Sequence, residues 1–493
     1  MTVMSAPFGL FQQHISLMHG WVPTTVQTLA AAALLVAVTG RRRRWLPLVA
    51  LFGVIAAAAA YWAVASNGLA NEPAPRQLWT WVAASGVAVG VAALGWRAAR
   101  WWRRGVSLLA VPLCLLSTAL AVNAWVGYFP TLQNAWGQLT SGPLPDQTSR
   151  AAVTAQAAQV QAHHVLPARG SVVPVTISAA ASGFKHRGEL VYLPPAWFAT
   201  SPPPKLPTVL MLGGEFNTPA DWLRAGNAVN TVDAYAAAHH GNAPVLVFAD
   251  SGGAFNNDTE CVNGPRGNVA DHLTKDVRPF MTAEFGVSSD AANWGIAGWS
   301  MGGTCAVDLT TMHPELFSAF VDIAGDMAPN SGTRSQTINR LFGGNAATYA
   351  AWDPVTVITK HGPYQGLSAW FAINANTGNP ATQPRNIPAA IGTAPLGYHA
   401  GTGRPSDQTT AANTLCALGA AHGIQCAVVA QPGKHDWPFA ARVFATALPW
   451  LAGALHTPGV PAPTLPAAAR SAADVPATGT TPGAETSTEA AGR

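Results

Sequence analysis

The stretch "GIAGWSMGGTCA" (residues 295–306) decides the fold of the C-terminal part of this 493-residue chain. It contains Gly-x-Ser-x-Gly at residues 298–302, between the apolar run "NWGIAGWS" and the helix-like run "MGGTCAVDLTTMH". A strand that turns directly into a helix leaves little room for a side chain two residues before and two residues after the serine. The same turn lifts the hydroxyl out of the sheet. The hydroxyl then lies at a helix N-terminus, which stabilises negative charge. The pattern predicts a nucleophile at Ser300; the alternative is a glycine-rich structural turn.

The surrounding sequence alternates apolar runs of strand length with stretches of helical pattern. The runs are nearly continuous in apolar residues, as in strands that are covered on both faces of a parallel sheet. Such alternation predicts an α/β domain with a mostly parallel sheet and helices on both faces, preceded by a hairpin, "GSVVPVTISA" and "RGELVYLPP". The six runs are "LPTVLMLGG", "APVLVFAD", "NWGIAGWS", "SAFVDIAG", "LSAWFAINA" and "IQCAVVAQ", and the helix candidates lie near 219–240, 268–284, 301–312, 408–421 and 438–455.

A serine nucleophile needs a base and an acid. In α/β hydrolases the chain order is serine, acid, histidine, with the histidine after the last strand. His435, in "QPGKHDWPFAARVF", occupies that position. The only carboxylate between the strand "SAWFAINA" and His435 is Asp407, in "RPSDQTTAAN", so we predict Asp407 as the acid. The alternative for Asp407 is a helix N-cap. Asp353 precedes that strand and is expected to hold a turn, and Asp436 would point away from its neighbour.

An oxyanion hole needs two backbone N–H groups. The first is expected from Met301, the residue after the nucleophile. The second should come from a loop after an earlier strand, and "LMLGGEF" (residues 210–216) fits that place. We predict the N–H of Glu215, with that of Gly214 as the alternative.

The first 129 residues differ sharply from the rest of the chain. Four apolar runs near 22–40, 45–65, 78–96 and 106–129 are long enough to cross a bilayer. This part carries nine arginines, no lysine and one acid, whereas residues 130–493 carry 18 basic and 22 acidic residues, which gives no support for nucleic-acid binding. Arginine clusters lie between the first and second runs and between the third and fourth, and short arginine-rich loops stay cytoplasmic. We therefore predict a multi-pass cell-membrane protein whose C-terminal domain is extracytoplasmic.

The positions of the five cysteines are informative about disulfide bonds and about metal sites. Four of them lie after the membrane runs, and an even number outside the cytoplasm predicts two disulfides. We favour Cys416–Cys426, which leaves Cys261–Cys305; Cys114, inside the fourth run, is expected to be an inert apolar residue. No cysteine or histidine spacing indicates zinc, so neither a metal nor a cofactor is predicted.

Residues 170–453 resemble the "Putative esterase" (esterase D) family of α/β hydrolases and, within it, the actinobacterial mycolyltransferase branch. The resemblance is carried by "YLPP", "LMLGGEFNTPADW", "AGWSMGGTCAVDLTTMHPELFSAFVDIAG", "AWDPV" and "GKHDWPFA". It implies an α/β hydrolase fold and a triad acid on the segment leading into the helix before the last strand, which favours Asp407. The branch has glutamate as its acid and is secreted without membrane helices.

These observations predict four parts: a membrane region of four helices (1–129), a linker (130–169), an α/β hydrolase domain (170–455) and a disordered tail (456–493). The predicted function is that of a serine esterase, anchored in the membrane as an integral protein, that acts on carboxylic or lipid esters through an acyl-enzyme. The alternatives are an acyltransferase of the mycolyltransferase type and a non-catalytic envelope binding protein. The sequence leaves the oligomeric state open.

Overall fold

The computed structural model describes residues 15–39, 45–67, 74–96, 100–140, 144, 146–375, 407–461 and 464–466. All structural statements below refer to these residues.

The N-terminal region contains four helices that are long and apolar enough to cross a membrane. Their bounds agree with the four predicted runs to within a few residues at most ends. Much of their surface is apolar and exposed, with few fully buried side chains, as expected of helices whose outward faces meet lipid. The helices are α1 (Trp21–Val38), α2 (Leu46–Asn67), α3 (Arg76–Gly95) and α4 (Trp101–Val126).

Two shorter helices follow, within the predicted linker: α5 (Leu132–Leu139) and α6 (Arg150–His163). The N-cap of α6 is Ser149, whose side chain accepts the N–H of Ala152. The predicted domain boundaries remain a prediction, and most of the predicted tail lies outside the described residues.

The C-terminal domain is built on an eight-stranded sheet in the order β1-β2-β4-β3-β7-β8-β9-β10. The first two strands form the predicted hairpin, β2 pairs antiparallel with β4, and the remaining pairings are parallel. All six predicted central strands are present, and the predicted α/β hydrolase fold is confirmed. The strands are β1 (Ser171–Val175), β2 (Glu189–Leu193), β3 (Thr208–Leu212), β4 (Val245–Phe248), β7 (Trp294–Trp299), β8 (Ala319–Ile323), β9 (Ser368–Ala375) and β10 (Gln425–Pro432), and a separate two-stranded ribbon consists of β5 (Asn263–Gly264) and β6 (Gly267–Asn268).

Helices cover both faces of this sheet, and alternate strand residues divide between two hydrophobic cores. In β3, Leu210 and Leu212 belong to one core, whereas Val209 and Met211 belong to the other. The covering helices are α7 (Asp221–Arg224), α8 (Ala228–Ala238), α9 (Val269–Asp271) with the π-helical turn His272–Val277, α10 (Arg278–Phe285), α11 (Met301–Met312), α12 (Arg334–Phe342), α13 (Ala346–Trp352), α14 (Pro354–His361), α15 (Gln408–Ala421) and α16 (Trp437–Ala454).

Two details differ from the predicted helices. The stretch 219–240 forms two helices, because the chain turns at Asn227, which has a left-handed backbone (φ 51°). The three helices α12–α14 between β8 and β9 were not predicted; each begins at a polar N-cap, and Asp353 caps α14 by accepting the N–H of Thr356 at 3.0 Å. Asp353 therefore holds a chain turn, as expected.

The favoured cysteine pairing is confirmed. Disulfides join Cys261 to Cys305 and Cys416 to Cys426, and Cys114 is a buried free thiol in α4. The first disulfide ties the loop before β5 to the first half of α11, the helix that follows Ser300.

Candidate active site

Ser300 lies at the turn between β7 and α11, with a strained backbone at φ 58° and ψ −119°. Its N–H donates to the carbonyl of Ile323 on the neighbouring strand at 2.9 Å. A Cβ at Gly298 would overlap the carbonyl oxygen of Gly302, and a Cβ at Gly302 would lie 2.5 Å from the carbonyl oxygen of Leu212. Only glycine fits at these two positions, so the sequence pattern reflects the packing of the turn.

His435 lies in the loop after β10 and faces this serine. Its Nε2 is 3.0 Å from Ser300 Oγ, across 135 residues of sequence. The imidazole packs against the indole of Trp299, with ring centroids 4.2 Å apart and planes at 31°. Both Ser300 and His435 are half-buried. The structure therefore brings together a hydroxyl and an imidazole at the carboxyl edge of the sheet with the spacing of a nucleophile and its base.

Burial lowers the pKa of His435 to about 4. Desolvation disfavours the charged imidazolium, and no carboxylate within the described residues hydrogen-bonds the ring to offset it. The imidazole is therefore neutral near pH 7 and able to accept a proton.

The predicted acid does not lie beside this imidazole. The carboxylate of Asp407 is exposed and caps α15, accepting the N–H of Thr410 at 3.0 Å and its hydroxyl at 2.8 Å. Its neighbour Gln408 reaches His435 instead: the amide Nε2 and Oε1 lie 3.1 and 3.2 Å from Nδ1. The expected Asp407–His435 contact is absent from this geometry, because the first turn of α15 uses the carboxylate to satisfy its own N–H groups.

One predicted oxyanion donor, Met301, directly follows the nucleophile, and the loop that carries the other passes close to it. Met301 begins α11, and neither its N–H nor that of Glu215 has a hydrogen-bond partner among the described residues. Gly214 lies so close to Ser300 that a Cβ on it would be 3.3 Å from Ser300 Cβ. The N–H of Gly214, the alternative donor, is already bonded to Asn217 Oδ1 at 2.9 Å. The geometry thus favours Met301 and Glu215.

The side chain of Glu215 points into an acidic and basic cluster. Burial and the nearby Asp258 raise the pKa of Glu215 to about 8, although Arg266 and Arg340 act in the opposite direction. At neutral pH this carboxyl is largely protonated. A neutral side chain leaves the backbone N–H next to it free to stabilise an oxyanion without a competing negative charge.

One group within the described residues has the composition of a metal site. Ligand atoms of His186, Glu189 and His272 lie within 4.8 Å of one another. Each ring nitrogen already faces an oxygen, however: His272 faces Glu189 Oε1 at 3.0 Å and Asp276 Oδ2 at 3.4 Å, and His186 faces two backbone carbonyls. The contacts describe an ion-pair network in the core rather than a vacant ligand set.

That network is connected to residues 213–216 after β3, the loop predicted to carry the second oxyanion donor and called the oxyanion loop below. Glu189 Oε1 accepts the N–H of Asp250, and Asp250 pairs with Arg187 at 2.6 Å. The Arg187 guanidinium also donates to the carbonyl of Asn217 at 2.7 Å. This contact helps to fix the position of Asn217, whose side chain accepts the N–H of Gly214.

The end of the last candidate membrane helix contacts both halves of the site. Gly127 follows α4, and a Cβ on it would overlap that of Asp436 and lie 3.0 Å from Asp436 Cα. The next residue, Tyr128, donates from its hydroxyl to Asp221 Oδ2 at 2.9 Å. Asp221 also accepts the N–H of Thr218, just after the oxyanion loop. The residues after α4 thus lie against the histidine loop and the segment that follows the oxyanion loop.

Three side chains at the site were missed from sequence. Trp299 was visible inside the Gly-x-Ser-x-Gly motif but gave no sign that it would stack on His435. Asn217 lies two residues after Glu215, and short-range turn chemistry could have suggested it. Gln408 carries no signal, because an amide beside a predicted acid reads as an ordinary helix residue.

Comparison with known proteins agrees with this fold. The sequence model of the family described as "Putative esterase" matches residues 185–441, more than half of the chain. An uncharacterized protein of Corynebacterium glutamicum is 29% identical over 368 residues, which are 71% of this chain and 83% of that protein.

Two solved structures are similar at low sequence identity. A ferulic acid esterase is 16% identical with a TM-score of 0.43, covering 58% of this chain and 98% of its own. MPT51 (FbpC1) of Mycobacterium tuberculosis is 18% identical with a TM-score of 0.36, covering 57% of this chain and 100% of its own. The assignment rests on the family match and on the strand order and nucleophile turn described above: this chain belongs to the "Putative esterase" family of α/β hydrolases.

Proposed function

We propose that this protein is a membrane-anchored serine esterase, with its catalytic domain outside the cytoplasm, that cleaves carboxylic esters, including those of lipids, through an acyl-enzyme. One observation carries the proposal: Ser300 Oγ and His435 Nε2 lie 3.0 Å apart at the carboxyl edge of the sheet, beside the predicted oxyanion donors.

The chemistry follows from that arrangement. Ser300 Oγ attacks the ester carbonyl carbon while its proton moves to His435 Nε2, and the carbonyl oxygen becomes an anion. The N–H groups of Met301 and Glu215 stabilise this oxyanion. The protonated Nε2 then gives its proton to the departing alcohol, which leaves Ser300 acylated.

A second nucleophile completes the cycle. Water, activated by His435, attacks the acyl-enzyme, and Nε2 again passes the proton on, in this step to Ser300 Oγ. A sugar or lipid hydroxyl in the place of water would give acyl transfer from the same intermediate. The balance between the two depends on access of water to the acyl-enzyme.

A covalent probe tests the nucleophile. A fluorophosphonate should label the full-length protein in detergent, whereas Ser300→Ala should remain unlabelled and hydrolyse no p-nitrophenyl ester. Equal labelling of the two proteins would show that another residue reacts. Lack of labelling and of hydrolysis in the folded wild type would favour a non-catalytic binding protein.

Adding an alcohol to the ester assay separates hydrolysis from transfer. If water is the acceptor, product acid should appear at the same rate with or without a sugar alcohol. If a hydroxyl is preferred, a new ester should form and release of the first alcohol should accelerate.

Thiol accessibility tests the orientation. Ala155 is exposed on α6, and the native cysteines outside the candidate membrane helices form disulfides. An impermeant maleimide should therefore label Ala155→Cys in intact cells but not Gly40→Cys, beside the first arginine cluster. The reverse pattern would place the catalytic domain in the cytoplasm.

A further inference from the structure

We infer that Gln408 takes the part that a carboxylate has in a serine–histidine–acid triad: its amide oxygen accepts the Nδ1–H of His435 and positions the ring, so that the site works as Ser300–His435–Gln408. The inference rests on the proposed function, since it concerns the base of the same reaction.

The tautomer required for catalysis sets the direction of the hydrogen bond. His435 Nε2 can accept the Ser300 proton only when the neutral ring carries its own proton on Nδ1. The amide nitrogen and oxygen of Gln408 lie 3.1 and 3.2 Å from Nδ1, and of these two atoms only the oxygen can accept that proton. Holding the ring in this tautomer is the task that the acid performs in serine proteases.

Among the described residues, no carboxylate is available for this task. Asp407 caps α15 through Thr410, and Asp436 caps α16 by accepting the N–H of Phe439 at 3.0 Å. Residues 354–406, which precede Asp407 and include the stretch outside the described residues, contain no aspartate or glutamate in the sequence. Other carboxylates do not hydrogen-bond His435 within the part of the chain that the structure describes.

The position of Gln408 is fixed by its helix. It is the first residue of α15, directly after the N-cap, where a side chain emerges beside the helix end. The helix packs against the parallel strands β9 and β10, and the loop with His435 directly follows β10. Asp407 only caps this helix end, a task that another capping residue can perform.

An amide differs from a carboxylate in charge. Both accept the Nδ1 proton, but only a carboxylate stabilises the imidazolium that forms when the ring takes the Ser300 proton. The wild type therefore keeps the correct tautomer without an electrostatic gain. This agrees with the low pKa of His435, which burial lowers and no adjacent anion raises.

The experiment measures the fluorophosphonate labelling rate of the full-length protein against pH for three variants. Gln408→Glu keeps the size of the side chain and adds a negative charge, which favours the protonated imidazole. The pH at which the labelling rate falls on the acidic side, the acid limb of the profile, should therefore rise by about 1–3 units. A more basic Nε2 should also raise the labelling rate at pH 8 by roughly tenfold. Gln408→Ala should lower the rate about 10- to 100-fold, as loss of the partner of a functional histidine does at metal centres.

Asp407→Asn is the matched control, because asparagine caps a helix as well as aspartate does. We expect its rate and pH profile to equal those of the wild type. If Asp407 were the triad acid, the same change would cost about 10⁴-fold by analogy with serine proteases. Either a large loss in Asp407→Asn or an unchanged acid limb in Gln408→Glu would overturn the inference.

Labelling of the wild type separates this inference from the proposed function. If Ser300 is unlabelled at every pH, the proposed function fails. If the wild type is labelled at Ser300 but Gln408→Glu leaves the acid limb in place, only the role of Gln408 fails.

Discussion

The two sides of the His435 ring are held in very different ways. On the Nε2 side, Ser300 is fixed by a turn whose glycines touch neighbouring backbone and by a bond from its N–H to β8. On the Nδ1 side, the ring meets one amide, that of the half-buried Gln408 at the start of α15. The comparison shows that the nucleophile depends on close packing of many atoms, whereas Nδ1 of the base meets a single hydrogen-bonding side chain.

The nucleophile side should therefore tolerate substitution least. In Gly302→Ala the new Cβ would lie 2.5 Å from Leu212 O and push β3 and its oxyanion loop away. We expect the rate of ester hydrolysis to fall by about 10²–10³, as when an oxyanion donor is lost. Gly188→Ala is the control, since its Cβ would meet no atom within 4 Å. Full activity of Gly302→Ala would show that the turn is less rigid than the packing indicates.

The oxyanion loop allows a finer test of the same side. Asn217→Ala removes the acceptor that holds the Gly214 N–H. Because small displacements at a reacting centre are costly, we expect kcat to fall about 10- to 100-fold with little change in KM. Asn230→Ala, a surface asparagine on α8, should leave kcat unchanged. A loss confined to KM would instead place Asn217 in substrate binding.

The ion-pair network behind that loop predicts a dependence of stability on pH. Burial lowers the pKa of His272, but hydrogen bonds and charges from Glu189 and Asp276 outweigh this effect and raise the pKa above its ordinary value of 6.5. The protonated ring therefore stabilises the fold fully below pH 6.5, and this stabilisation is lost as pH rises through the higher pKa of the folded protein.

Thermal unfolding checks this expectation. The Tm of the wild type should fall towards that of His272→Gln as pH rises from 6.5, whereas His163→Gln, at an exposed helix end, should follow the wild type. Parallel curves for the wild type and His272→Gln would mean that His272 contributes no charge.

The smallest effect is expected where the membrane region meets the site. Tyr128→Phe removes the bond to Asp221, and loss of such a bond should reduce stability by about 1–2 kcal/mol. The rate of hydrolysis should change only a few-fold. Tyr235→Phe is the control, since its buried hydroxyl has no hydrogen-bond partner among the described residues. If Tyr128→Phe matches Tyr235→Phe, the contact contributes nothing.

This contrast also explains what the sequence could predict. The central strands, the turn at Ser300 and the position of His435 follow from patterns that the backbone imposes: apolar runs, glycines in a tight turn and a loop after the last strand. Gln408 could not be found in this way. Asp407 can either cap the helix or face the ring, and the sequence does not record which of these two roles it takes.

The unpredicted helices have the same origin. The segment with α12–α14 lacks a long apolar period, and its helices form because Thr333, Asn345 and Asp353 satisfy their first N–H groups. Such local hydrogen bonds give only a weak signal in a sequence pattern, even when they determine where a helix begins.

The contact between Gly127 and Asp436 has a geometric consequence under the proposed membrane topology. Gly127 directly follows α4, and Asp436 directly follows His435, so the end of α4 lies beside the reacting atoms. Under that topology the ester would be presented at one fixed height above the headgroups. A lipid that arrives by lateral diffusion would be selected by how far its ester group projects from the bilayer, as well as by its shape.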